Sequence, residues 1–277
     1  MARKQWTRDE FLERLRASIA QGRPIIGAGA GTGLVAKAAQ AGGADFIAVY
    51  CTSKARHKGF PTSIIGDPNE ITLELVEEVS RVVKETPIVA GLHATDPTRE
   101  VEEVLDRFRE LGCAGVINYP SMGLYGREYI GGPVSYQQGL EIEKAAMELA
   151  RERGMVAMTY VYRPEEAEYF APAVDVIVAH AGWTVGGMAG APPTMTIEEA
   201  AAAINAQIAA GRATGADVIY LGHGGPFATP EDTRALYELT QASGFVGASS
   251  IERIPVERAV MQTVEQFKAI PLKDVNS

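Results

Sequence analysis

Cysteine is scarce in this chain: 277 residues carry two, Cys51 and Cys113. Two thiols make no disulfide framework, so the fold has to rest on a buried apolar core. Positive charge is in deficit, with 26 Lys and Arg against 35 Asp and Glu and a formal net charge of −9. A nucleic-acid binder usually carries a basic face, which removes DNA and RNA from the expected partners. No run approaches the roughly 18 apolar residues of a membrane span. The charged start MARKQWTRDEFLERL has no apolar segment of the kind a secretory leader needs. Linkers and low-complexity tracts are missing as well. These absences predict a soluble, cytoplasmic protein with no membrane partner, in which residues 1–277 form a single domain. Histidine is rare too, at four, so the position of each one is informative.

What the chain does have is a repeating unit: a short apolar run, a turn or loop, then a helical stretch. The strand candidates are eight, at 24–29, 45–51, 86–94, 114–120, 156–162, 175–182, 217–225 and 244–250. They are continuous apolar runs rather than alternating ones, as strands covered on both faces should be. Helix starts are marked by capping boxes at Thr7–Glu10 and Thr196–Glu199. Cap-then-proline signals stand at Asp96–Glu100 and Thr229–Asp232. The pattern predicts an α/β fold, a single (β/α)8 TIM barrel with an extra N-terminal helix over about 8–21. Connections from helix to strand are short. Those from strand to helix are long after the second, fourth and sixth strands, and in such barrels the long-loop face builds the site.

GAGAGTG at 27–33 follows the first strand and opens a helix, which raises the possibility of a dinucleotide loop. That fingerprint needs G-x-G-x-x-G and an acid at the end of the second strand. Starting at Gly27 the third glycine position is Thr32, starting at Gly29 it is Leu34, and the second strand ends Tyr50-Cys51-Thr52. Both requirements fail. Gly27 and Gly29 instead suit a barrel loop where backbone runs close to a ligand or a neighbouring loop.

Three of the four histidines stand at strand ends: His93, His180 and His223. On one rim they would converge on a shared cavity, exchanging protons near neutral pH or, with Glu252, chelating a divalent ion. No H-x-H or H-E-x-x-H spacing supports the metal, so its ligands stay open. Asn118 and Tyr119 end the fourth strand, Tyr160 and Tyr162 the fifth; of these Asn118 and Tyr160 are the candidates to orient or stabilise an oxyanion. The catalytic candidates are therefore His93, His180, Asn118, Tyr160 and Glu252. For an anionic substrate the candidates are Gly27, Gly29, Lys54 of the cationic loop after the second strand, and His223, Gly224, Ser249, Ser250 and Arg253 around the last two strands, where such barrels often bind phosphate. Cys51 reads as a small buried hydrophobe. GWTVGGMAGAPP at 182–193 reads as a lid.

IIGAGAGTGLVAKAAQAGGADFIAVY together with GFVGASSIERIPVERAV resembles the phosphoenolpyruvate hydrolase-like TIM-barrel family, also described as TIM-barrel signal-transduction proteins. That family is distantly similar to the phosphoenolpyruvate mutase and isocitrate lyase superfamily. The resemblance implies action on a small anionic, perhaps phosphorylated, carboxylate such as an enolpyruvate or α-oxo acid, by hydrolysis or C–C or C–P lyase chemistry through an enolate-like state. It also implies Mg2+ or a similar divalent ion and a homo-oligomer. The superfamily's paired aspartates at the end of the third strand have no counterpart here, where the strand ends GLHATD with His93 and Asp96. A catalytically silent barrel that senses a small anion, and a metal-dependent aldolase, are the alternatives.

Overall fold

The computed structural model describes residues 3–126 and 135–273. Its strands are β1 (Ile25–Gly29), β2 (Phe46–Val49), β3 (Ile88–Leu92), β4 (Gly115–Asn118), β5 (Val156–Val161), β6 (Val176–His180), β7 (Ile219–His223) and β8 (Gly244–Gly247). They close in sequence order into one parallel barrel, with β8 returning to β1 through pairs such as Gly27↔Val246. All eight expected strands are present, each inside the predicted run. Nearly every strand residue is buried because helices cover the outside and side chains fill the inside.

The helices are α1 (Arg8–Ala20), α2 (Gly33–Ala41), α3 (Ser53–His57), α4 (Pro68–Val82), α5 (Val101–Glu110), α6 (Met122–Tyr125), α7 (Tyr136–Glu152), α8 (Pro164–Phe170), α9 (Ile197–Ala213), α10 (Pro230–Leu239), α11 (Ser249–Glu252) and α12 (Ile254–Lys268). The longer ones bury one stripe at helical spacing, as in α4 with Ile71, Leu75, Val76 and Val79. The boxes at Thr7, Thr196 and Thr229 form, each side-chain oxygen accepting from the backbone N–H three residues on. The Asp96 cap does not. Asp96 turns its carboxylate to the Thr98 N–H and hydroxyl, and the helix starts five residues later behind Glu100, which makes no side-chain cap bond.

Helix α1 closes the end where the strands begin. Phe11 packs edge-on against Phe46 at 5.9 Å, and Arg8 makes a two-pronged pair with Asp175 ahead of β6. Asp45 ahead of β2 accepts from Ser18 and from the Ile26 N–H, so this end is pinned by carboxylates that also hold strand register. The opposite end, where the strands finish, carries the long connections.

Candidate active site

Six strand ends deliver side chains to one cavity at the C-terminal mouth. It is walled by Tyr50, Thr52, Arg56, Tyr119, Tyr160, His180, His223, Ala248 and Ser249, with Thr62, Trp183 and Thr184 from the long loops, and encloses about 360 Å³ including its open mouth.

His180 and His223 are cross-strand partners at the ends of β6 and β7, their rings 4.6 Å apart. Main-chain groups fix their tautomers. The Gly182 N–H, which can only donate, points at His180 Nδ1 at 2.9 Å, so Nδ1 accepts and the proton sits on Nε2. The Val246 carbonyl, which can only accept, stands 2.6 Å from His223 Nδ1, so that nitrogen carries the proton and Nε2 keeps its lone pair. Burial, with His223 alongside, depresses the His180 pKa well below the ordinary imidazole value. Burial likewise lowers His223, to about 4, against the pull of its bond to Val246. At neutral pH the pair is therefore uncharged: one ring offers an N–H, the other a base. Tyr162 stacks on His180 at 4.5 Å and Tyr160 lies 5.1 Å from His223, so both rings are held by packing.

Facing them are three phenols. The Tyr50 and Tyr160 hydroxyls share a hydrogen bond of 2.9 Å, and the Tyr119 ring sits 5.3 and 5.8 Å from theirs. Burial raises the pKa of all three, keeping them protonated.

Arg56 is the one charged side chain on the wall among the described residues, and its charge is already answered. Its Nε and Nη2 pair with Glu252, Nη1 donates to Thr52 at 3.0 Å and Nη2 to Ser53 at 2.9 Å. Glu252 is fully buried and also accepts from the Gly31 N–H, Ser53 and His57, tying the loops after β1, β2 and β8 together. Glu252 therefore holds a wall residue and does not itself face the cavity.

Of the sequence candidates, His180, His223, Tyr160 and Ser249 meet at the cavity. His93 does not line it. Its backbone is clamped by Asn69 and its imidazole Nδ1 is buried without a partner, the ring's pKa lowered by burial against the pull of Asp96 and Asp67. The histidines therefore meet as a pair, not as three. Asn118 turns away from the mouth and brackets β5: Oδ1 accepts from the Tyr160 N–H at 2.7 Å and Nδ2 donates to Glu143. Lys54 pairs with Glu74 on the surface. Arg253 pairs with Glu257 and donates to the Gly186 carbonyl, fastening the glycine-rich 182–190 segment whose Trp183 and Thr184 roof the cavity. Ser250 Oγ is buried outside the wall.

The glycines answer to neighbours. A Cβ on Gly27 would strike the Phe46 ring, and one on Gly29 would stand 2.8 Å from Ala248 Cα. Gly224, at φ +76°, sits so close that a Cβ would lie 2.1 Å from the Gly182 carbonyl oxygen. None of the three lines the cavity. Cys51 is buried, its thiol pushed up to about 12, as a packing residue would be. Sequence reading passed over Tyr50 and Thr52 as site residues and took Arg56 only as one charge of the cationic loop after the second strand, although Tyr50 is an aromatic at a strand end, the position such barrels use.

Mg2+ asks for oxygen ligands, chiefly carboxylates. The described wall has no carboxylate, and among the described residues no cluster of three or more His, Cys, Asp or Glu could hold an ion. Asp96, the acid after β3, is spent on Thr98. The described donor set does not fit that metal. No helix among the described residues is long and apolar enough to cross a membrane.

Residues 10–270 match the profile of the family described as phosphoenolpyruvate hydrolase-like. The ToMV susceptible protein tm-1(GCR26) of Solanum lycopersicum is 39% identical over 270 residues, covering 95% of this chain and 36% of its own length. The chain thus spans little more than a third of that relative. Among solved structures, phosphonopyruvate hydrolase in complex with oxalate and Mg2+ has a TM-score of 0.61 at 17% identity, covering 94% of this chain and 86% of the other. Oxaloacetate acetylhydrolase in complex with the product oxalate has 0.60 at 16% identity, covering 96% and 91%. At such identities the structural likeness speaks for the barrel.

Proposed function

The chain belongs to the phosphoenolpyruvate hydrolase-like family, and on that premise we propose that it is an enzyme acting on a small anionic carboxylate of the enolpyruvate or α-oxo acid class. The reaction is hydrolysis or C–C or C–P cleavage through an enolate-like state. The observation that carries this reading is the histidine pair: two neutral imidazoles in opposite tautomers, 4.6 Å apart, in a cavity sized for a few heavy atoms. His223 Nε2 takes the proton of an attacking water or of a substrate hydroxyl. The attacking oxygen bonds to the phosphorus or carbonyl carbon as the C–P or C–C bond breaks, the bonding pair passes into an enolate whose oxygen accepts from His180 Nε2–H, and the enolate carbon takes the proton back from His223. The protein names attached to the solved structures, phosphonopyruvate hydrolase and oxaloacetate acetylhydrolase, support the same substrate class.

A homo-oligomer is part of the proposal. Helix α12 leaves the barrel with only Ile254 buried, and its Val256, Val260, Val264 and Phe267 form an exposed apolar stripe at helical spacing. The occupant we assign is a second copy of this chain.

The test is turnover of phosphonopyruvate and oxaloacetate. His223→Gln lowers kcat by about 10²- to 10⁴-fold, the range of a lost general base, while His93→Ala stays within about twofold, since His93 lies off the wall. Undiminished turnover in His223→Gln refutes the assignment.

A further inference from the structure

We propose that this cavity holds the charge of its ligand with neutral hydrogen-bond donors, the Tyr50–Tyr160 hydroxyl pair together with Thr52 and His180, and binds small α-oxo or dicarboxylate anions without a divalent cation. The inference rests on the reading that the cavity takes such an acid, and goes beyond it by assigning what holds the negative charge.

The donor count comes from the geometry. In the Tyr50–Tyr160 bond one hydroxyl must donate and the other accept, so one O–H is left to donate elsewhere. A phenol whose oxygen already accepts a hydrogen bond donates the more strongly. Thr52 Oγ1 accepts from Arg56, so its own O–H is a donor, shared between the Tyr119 phenol beside it and the cavity. His180 has its proton on Nε2 because Nδ1 is taken by Gly182. These groups share one wall.

The charge balance points the same way. A divalent ion is held by a negative cage, and the described wall carries no carboxylate. The one cation there, Arg56, is matched by Glu252 behind it. What remains is a set of fixed dipoles in a buried site, the arrangement that stabilises a developing oxyanion without reorganising. Burial keeps the phenols protonated across the working pH range, so their O–H bonds are available.

Isothermal titration with oxalate, in EDTA and separately in Mg2+, tests this on the whole chain, with Tyr50→Phe and Tyr160→Phe alongside. Each variant keeps its ring packing, and thermal unfolding checks its fold. The expected result is the same Kd within twofold in EDTA and Mg2+, weakened about tenfold or more in the variant that removes the ligand-facing O–H, as loss of a hydrogen bond to a charged group requires, and by less in the variant that removes only its partner. Binding only in Mg2+ overturns the proposal and leaves the substrate class standing. Binding in EDTA that both variants retain in full overturns it as well. No binding under either condition overturns the proposal and the reading beneath it.

Discussion

Replacing Glu252 with glutamine removes one charge from the most enclosed ion pair of the site. The carboxylate is fully buried between Arg56, Ser53, His57 and the Gly31 N–H. Burial pushes its pKa up, and the Arg56 guanidinium with His57 overrides that, holding the carboxyl at about 2 against an ordinary 4.5. The gap between 4.5 and about 2, at roughly 1.4 kcal/mol for each step of one in pH, corresponds to about 3.5 kcal/mol of stability. A folded value below the unfolded one means this contribution is complete above pH 4.5 and is lost as pH falls from there toward 2. Breaking a buried pair from one side costs about 3–5 kcal/mol by a separate route, because the surviving cation is left uncompensated.

Urea unfolding at pH 7 should therefore show Glu252→Gln less stable by about 3 kcal/mol, with a melting point lower by roughly 5 °C for a chain of this length. Near pH 3 the difference should shrink. Arg56→Met in the same chain removes the stranded cation, so the double variant should recover at least about 1 kcal/mol relative to the sum of the two singles. A loss under about 1 kcal/mol at pH 7, or strict additivity in the cycle, would refute the view that this pair holds the three loops together.

Burial raises Glu143 to about 8, well above its ordinary 4.5. Between those values the native chain keeps a proton that the unfolded chain has released, so stability declines as pH rises through the window, by roughly 5 kcal/mol at most. Glu143→Gln should flatten that decline in pH-resolved unfolding; an unchanged slope would show that Glu143 titrates normally. Val260→Asp with Val264→Asp puts two charges on the α12 stripe, and sedimentation velocity should show wild type as an oligomer and the double variant as a smaller species. A wild-type monomer at micromolar concentration would remove the assigned occupant.

The barrel was legible because each strand is an apolar run bounded by polar punctuation, and long loops fell on one face only. The same property hid the inward residues. A strand buried on both sides has no alternation to tell its inside from its outside. Asn118 and Tyr119 were therefore equivalent on paper, and the structure sends Tyr119 to the cavity and Asn118 to Glu143. Tyr50 was concealed in the same way at the end of an all-apolar run. The Asp96 cap failed because Pro97 and Thr98 let the carboxylate close a local turn before any helix begins, a competition that Asp enters wherever a nearby N–H is free. Glu252 and Arg56 are 196 positions apart, and nothing local in either segment announces the other.

The division of labour between the histidines lies deeper still, because it is not a property of their side chains. His180 and His223 are chemically identical residues at matching positions on adjacent strands. What makes one a donor and the other a base is main chain: the amide of Gly182 on one side, the carbonyl of Val246 on the other. Gly182 takes φ +100°, a conformation that a side chain resists, so the turn that follows the donating N–H is one that glycine permits. Protonating His180 at Nδ1 would set two N–H groups against each other across 2.9 Å, so the turn and burial act together to keep the ring neutral. Gly182 thus bears on proton placement through its N–H. This gives the glycine of AHAG a purpose that the phosphate-cradle reading of glycine-rich loops does not supply.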